Sequence, residues 1–208
     1  MKRFVKPILF VAALVPTAWL AWGLLVGDLG ANPAETIQLQ TGRWAFKFLL
    51  LTLAITPLRR LTGWNVVVQY RRMLGLFAFY YASLHFASYI VLDQYFDWRA
   101  MLADIGKRPF ITVGFTAFAL MVPLALTSTK GSIRRLGRRW QTLHRLIYVS
   151  AACAAIHFLW KVKVAAGDAV VYSAIVLALL GFRTIFWLRQ RSVREAQRAV
   201  RPRNLPIH

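Results

Sequence analysis

Six runs of apolar residues divide the chain, at about 8–26, 44–58, 73–92, 110–127, 143–160 and 169–188. A helix needs about 20 such residues to cross the hydrocarbon of a bilayer, so this pattern leaves little choice of fold. Of the 208 residues, 58% are apolar and 16% charged, against roughly 25% charged in an ordinary soluble domain. A soluble fold of this length has too little interior to hide so much apolar surface, and disorder requires the opposite composition. The expected fold class is an all-α integral membrane protein with six transmembrane helices. The second run is short, but Trp44 and Lys47 at one end and Arg59 at the other frame it with interfacial anchors. Turn residues separate the runs, at 27–33, Gly63, 106–109, Gly131 and Gly167-Asp168. No internal repeat or low-complexity segment stands out. The expected organisation is a helical membrane domain over 1–190 and a short basic tail over 191–208.

The net charge of +20 could suggest nucleic acid. Here the basic residues lie between apolar runs, where they meet anionic lipid headgroups. Membrane lipids are therefore expected as partners, and nucleic acid is not. With both termini on one side, segments 1–7, 59–72, 127–145 and 189–208 hold 19 cations and one anion, Glu195. The opposite segments hold seven cations and six anions. The excess of cations on one side puts both termini in the cytoplasm. Arg183 lies about one turn inside the last run and can snorkel. The basic start and first apolar run resemble a secretory signal, but the run exceeds the roughly 7–15 residues of a signal core, so it is expected to be an uncleaved first span. Cys153 is the single cysteine, which excludes an internal disulfide and a thiolate metal site.

Ionisable groups deep in a bilayer are costly and usually functional. The deep exceptions in this chain are His85 in the third run and His157 in the fifth. His85 is about 20 Å and His157 about 22 Å from the cytoplasmic ends of their spans, at 1.5 Å per residue. Both spans run in the same direction, so the two imidazoles reach a similar depth in the outer half. Facing imidazoles on two helices can hold a haem iron as its two axial ligands, and Phe77, Phe79, Tyr80, Tyr81, Phe86, Tyr89, Tyr148, Phe158 and Trp160 supply aromatic surroundings. A membrane histidine can also simply bond a neighbouring helix, at about 0.6 kcal/mol on average. Two at matched depth, with no acidic partner in the core, favour the ligand reading. His144 lies 13 residues before His157, near the cytoplasmic surface. On an uninterrupted helix the two would project about 220° apart, at 3.6 residues per turn. A second haem on a non-histidine partner, a haem propionate, a quinone, a flavin or a purely structural role remain open for it. The rival class is a non-redox scaffold or small transporter, although inverted repeats and broken midplane helices are not visible.

The stretch Arg71-Arg72-Met73-Leu74-Gly75-Leu76 leading to Leu84-His85, the stretch Trp140-Gln141-Thr142-Leu143-His144-Arg145-Leu146-Ile147-Tyr148, and His157 together resemble the ferric-reductase-like transmembrane family. Within it, Thr56-Pro57-Leu58-Arg59-Arg60-Leu61-Thr62-Gly63 and Lys107-Arg108-Pro109-Phe110-Ile111-Thr112 are most similar to the haem-binding membrane subunits of bacterial periplasmic methionine-sulfoxide reductase systems. The resemblance covers nearly all of residues 5–190. It implies an inner-membrane electron carrier holding haem b, with His85, His144 and His157 as the haem histidines and a second haem left open. It also implies FMN, for which no glycine-rich phosphate loop is present, and Arg71 and Arg72 are the candidates to hold a cofactor. The implied donor is quinol or menaquinol, or a cytoplasmic flavin reductase. The implied acceptor is a periplasmic molybdenum methionine-sulfoxide reductase, MsrP. No catalytic residue acting on methionine sulfoxide is expected. Relatives such as the NADPH oxidases carry a fourth histidine where this chain has Arg71 and Arg72. A ferric-ion or oxygen reductase of the same family is the alternative activity.

Overall fold

The computed structural model describes residues 2–161 and 166–200, and every regular element among them is helical. The long helices are α1 (Lys2–Val26), α2 (Pro33–Thr62), α3 (Arg71–Ser88), α5 (Pro109–Leu126), α8 (Leu146–Lys161) and α9 (Ala166–Val200). Short helices fill the connections: α4 (Trp98–Lys107), α6 (Lys130–Leu136) and α7 (Arg138–Leu143), with a 3-10 turn at Asn65–Tyr70 and a π turn at Tyr89–Asp93. Five segments are long and apolar enough to cross a membrane: Phe4–Val26, Asn65–Asp93, Pro109–Leu126, Arg138–Trp160 and Gly167–Val193. Their outward faces are apolar, with Leu25 81% and Leu177 71% exposed beside Trp19, Trp22 and Trp187. In water such a surface would aggregate. In lipid it is the natural exterior, and the chain is a multi-pass membrane protein.

The remaining long helix, α2, extends well beyond the apolar run at 44–58 and is less apolar than the other five. Its place in the bundle explains this. It packs mainly on α3, and also on α1 and α9, and buries Thr41, Phe46, Phe48, Leu49, Leu50, Thr52, Leu53 and Ile55. Much of its surface meets protein rather than lipid. Asn32 caps its start by accepting the Glu35 N–H, and Pro33 follows with its φ already helical. Gly63 ends it in the left-handed region at φ 73° and returns its N–H to the Arg59 carbonyl.

Lipid gives no hydrophobic drive for helices to associate, so close packing must do so. Ala78 and Ala151 are fully buried and let backbones approach. Phe48 of α2 stacks on Phe77 and Tyr81 of α3, with centroids 5.5 and 5.4 Å apart, each pair contributing about 0.5–1.5 kcal/mol beyond burial. The Tyr81 hydroxyl donates to the Ala13 carbonyl and fastens α1 to this core.

The connections also differ from simple loops. After the π turn, Tyr95 and Phe96 take positive φ, and Asp97 then caps α4. Tyr89, Gln94 and Arg108 all converge on the Asp104 carboxylate, which orders the connection between α3 and α5. On the other side Gly137, at φ 51°, separates α6 from α7, and a turn at His144 and Arg145 separates α7 from α8. The 220° projection between His144 and His157 assumed an unbroken helix and does not hold. Helix α9 runs through the expected boundary at 190 as far as Val200 and carries an Arg191–Glu195 ion pair of 2.8 Å. The rest of the expected tail, with Pro202, Pro206 and His208, lies outside the described residues.

Candidate functional site: two imidazoles between helix pairs

Helices α2 and α3 form one antiparallel pair, in which Gln38 near the start of α2 meets His85 near the end of α3. Helices α5 and α8 form another, in which Phe110 at the start of α5 meets His157 near the end of α8. The two pairs bring the half-buried His85 and His157 rings together, with centroids 6.2 Å apart and planes at 69°. Each Nδ1 lies against a main-chain carbonyl of its own pair, 2.8 Å from Gln38 O and 2.7 Å from Phe110 O. A carbonyl can only accept, so in both rings Nδ1 carries the proton and donates. A neutral imidazole has one N–H, which makes Nε2 the basic nitrogen in both.

The neighbouring helices make room for these rings. Gly42 stands one turn after Gln38, and a Cβ there would lie 3.1 Å from both Nδ1 and Cε1 of His85. Gly114 stands one turn after Phe110, and a Cβ there would lie 2.6 Å from Nδ1, 2.8 Å from Cε1 and 3.0 Å from Cγ of His157. The two constructions correspond at a constant separation of 72 residues: Gln38 with Phe110, Gly42 with Gly114, His85 with His157. The aromatics follow the same rule. Phe46 packs on Phe158 at 5.5 Å, and Phe118 packs on Phe86 at 4.9 Å, with 46 and 118, and 86 and 158, again 72 apart. No internal repeat stands out in the sequence, and these contacts correspond at one offset only around the site. The two helix pairs thus carry corresponding contacts around the two histidines.

Among the described residues no group of three or more His, Cys, Asp or Glu is placed to hold a metal ion. A cage built from side chains alone is therefore not what these residues offer. Two opposed imidazoles suit a metal whose remaining positions are filled by a macrocycle. With metal–imidazole bonds of about 2 Å and ring nitrogens about 1 Å from their centres, two rings on one ion stand about 6 Å apart, centre to centre. The 6.2 Å observed fits that spacing, and the same four helices carry the Phe46–Phe158 and Phe86–Phe118 pairs.

His144 is not brought to the other two. It sits at the junction of α7 and α8, stacked on Trp140 at 3.8 Å, and its Nδ1 donates to the Trp140 carbonyl at 3.1 Å. Trp140 is itself fixed by donating to the Thr127 carbonyl. The His144 Nε2 is buried and makes no hydrogen bond among the described residues. Arg71, at the start of α3, is close enough to act on this ring electrostatically. The residue 72 positions before His144 is Arg72, which is exposed. Where that correspondence calls for a second pair of imidazoles, the chain therefore has one imidazole and one guanidinium.

Arg183 turns into the bundle. Its guanidinium donates to the Thr56 hydroxyl of α2 at 2.8 Å and lies 4.5 Å over the Tyr148 ring of α8. Arg60 stacks 3.4 Å over Phe186 beside it. No carboxylate pairs with Arg183 among the described residues. The sequence marks it only as the one cation inside the last run, and nothing in the spacing names Thr56 or Tyr148 as its partners.

The family described as ferric reductase like transmembrane component matches residues 41–155. A protein-methionine-sulfoxide reductase heme-binding subunit MsrQ of Herminiimonas arsenicoxydans is 52% identical over 191 residues, 90% of this chain and 87% of the relative. MsrQ proteins of Brucella ovis and Brucella suis are each 48% identical over 200 residues, 96% of this chain and 89% of theirs. No solved structure matches. With the family matched over more than half its length and these relatives aligned over nine-tenths of it or more, the chain belongs to the ferric-reductase-like transmembrane family, on the branch of the MsrQ heme-binding subunits.

Proposed function

We propose that the chain is a six-span b-type cytochrome of the bacterial inner membrane, with both termini in the cytoplasm and haem b held between His85 and His157. The observation that carries this reading is the opposed pair of imidazoles, 6.2 Å apart and each oriented by a carbonyl of a neighbouring helix. Helix α2 is the sixth crossing, made through protein contacts rather than through lipid. The cation-rich segments favour the cytoplasmic side, which sets His85 and His157, at the far ends of α3 and α8, toward the periplasm.

Bound there, haem supplies one-electron chemistry, and the protein governs it through axial ligands, hydrogen bonds and burial. His85 and His157 would hold the haem iron. The Gln38 and Phe110 carbonyls fix their tautomers, and Phe46, Phe86, Phe118 and Phe158 keep water away. At the cytoplasmic end, Arg71, Arg72 and His144 face the donor side and are assigned to FMN or to a second haem. Electrons enter from quinol or a cytoplasmic flavin reductase and leave to the molybdenum reductase MsrP. The relatives' name, a subunit of a methionine-sulfoxide reductase, supports that acceptor. The resulting role is repair of oxidised periplasmic proteins, and no residue of this chain is assigned to the sulfoxide itself.

The test is the absorbance spectrum of purified protein. A b-type Soret and α band that respond to dithionite are expected, and both are lost or strongly reduced in His85→Ala and His157→Ala. A colourless folded preparation, or full haem in both variants, refutes the assignment. Electron delivery to ferric chelates with none to MsrP would instead make it a ferric-ion reductase.

A further inference from the structure

We infer that Gly42 and Gly114 are positioning residues: each holds open the approach by which one haem imidazole donates to a main-chain carbonyl, and so tunes the bound iron. The inference rests on the proposed ligation by His85 and His157 and deepens it. In an α-helix the carbonyl of residue i faces residue i+4. The carbonyls that receive the imidazoles are those of Gln38 and Phe110, and the residues four further on are Gly42 and Gly114. Any other side chain at those two positions would put its Cβ in the path of the ring.

The obstruction is graded. At Gly114 the added carbon would sit 2.6 Å from Nδ1 of His157, the same atom that donates to Phe110. That is closer than packed atoms come, so the ring or the helix must move. At Gly42 the distance is 3.1 Å from His85, which a shift of a few tenths of an ångström relieves. Gly75, on α3 and facing α2 within the first pair, would place a Cβ 3.6 Å from Thr52, an ordinary contact that displaces nothing.

Chance packing of small residues is a poor account of this. The chain has 12 glycines in 208 residues, and two of them occupy corresponding positions under the two histidines of otherwise dissimilar halves. The chemical consequence follows from the hydrogen bond. A carbonyl that accepts the Nδ1 proton makes the opposite nitrogen a stronger donor to the metal. A stronger donor favours ferric over ferrous iron and lowers the midpoint potential. Displacing the ring weakens that bond, so the potential rises and the ligand field changes.

The experiment compares Gly114→Ala, Gly42→Ala and Gly75→Ala with the parent in detergent-purified protein. Haem content, the electron paramagnetic resonance g-values of the oxidised protein and the midpoint from a redox titration are measured. Gly114→Ala should raise the midpoint and shift the g-values, Gly42→Ala should do so in the same direction by less, and Gly75→Ala should change neither. Should Gly114→Ala retain no haem, Gly42→Ala carries the measurement with the same expected direction. Parent-like g-values and midpoint in Gly114→Ala at full haem content overturn the inference. So does a shift in Gly75→Ala equal to that in Gly42→Ala. His85→Ala and His157→Ala, run alongside, separate the two failures. Unaltered haem in both removes the ligand assignment itself, whereas altered haem there with an inert Gly114→Ala removes only the role of the glycines.

Discussion

Replacing Tyr81 with Phe deletes one oxygen from a fully buried ring and measures how the first helix is held. The Tyr81 hydroxyl donates to the Ala13 carbonyl at 2.7 Å and accepts from the Thr17 hydroxyl at 3.1 Å, both across the gap to α1. The ring's stack on Phe48 is untouched by the substitution. Helix α1 has few other buried contacts, Ala13 and Leu20 among them, and one edge-to-face pair of Phe10 with Phe77. Interhelical hydrogen bonds in membranes average about 0.6 kcal/mol and reach about 1.7. The short bond belongs near the upper end. The longer one is partly recovered, because a freed Thr17 hydroxyl can return to a carbonyl of its own helix. The expected loss is about 1–1.5 kcal/mol, close to tenfold in the docking equilibrium. Thr17→Val should lose about 0.5 kcal/mol, near the average for such bonds, since Tyr81 keeps its bond to Ala13. The double variant should be no weaker than Tyr81→Phe alone, because both changes remove the same Thr17–Tyr81 bond. Equilibrium unfolding in mixed micelles reads all three. An unchanged Tyr81→Phe variant, or strict additivity of the pair, would refute the reasoning.

Two further outcomes are expected. His144→Ala should leave the spectrum and midpoint of haem at His85 and His157 as in the parent, since His144 touches neither ring and lies beyond a break in the helix; loss of all haem in that variant would contradict the separation of the two ends. Thr56→Val strips Arg183 of its hydrogen bond while leaving the cation inside the bundle, and a bond to a charged group contributes about 1.5–3 kcal/mol. Thermal unfolding should show a lower midpoint for Thr56→Val that is largely restored by adding Arg183→Met, and a neutral Thr56→Val would show the bond to be idle.

The parts of this architecture that were legible in the sequence are those that lipid dictates. Apolar runs must be helices in a bilayer because their backbone groups have no other partners, and five of the six were placed in this way. Counting residues from the basic ends brought His85 and His157 to one depth, which their contact bears out. What was hidden depends on backbone and context. The carbonyls of Gln38 and Phe110 have no signature, because every residue carries a carbonyl. Gly42 and Gly114 look like any glycines until a ring is seen against them. The ends of α2 were misjudged because Gln38, Gln40, Arg43 and Lys47 lower its apolarity, and a helix flanked by other helices tolerates that. The break at His144 has no glycine or proline to announce it.

The 72-residue correspondence also sets the two ends of the bundle apart. A metal with equal ligands on opposite faces requires matching residues from both halves. At the outer level the halves supply them: imidazole with imidazole, carbonyl with carbonyl, glycine with glycine. At the inner level they supply Arg72 and His144, one exposed and one stacked on Trp140 with a buried, unbonded Nε2. A match at His85 and His157 alone is what a constraint acting at that level only would leave. On the proposed reading that constraint is a single iron gripped from two sides. The level of His144, with Arg71, Arg72 and a single imidazole, is then suited to an anionic or asymmetric group that needs no second histidine.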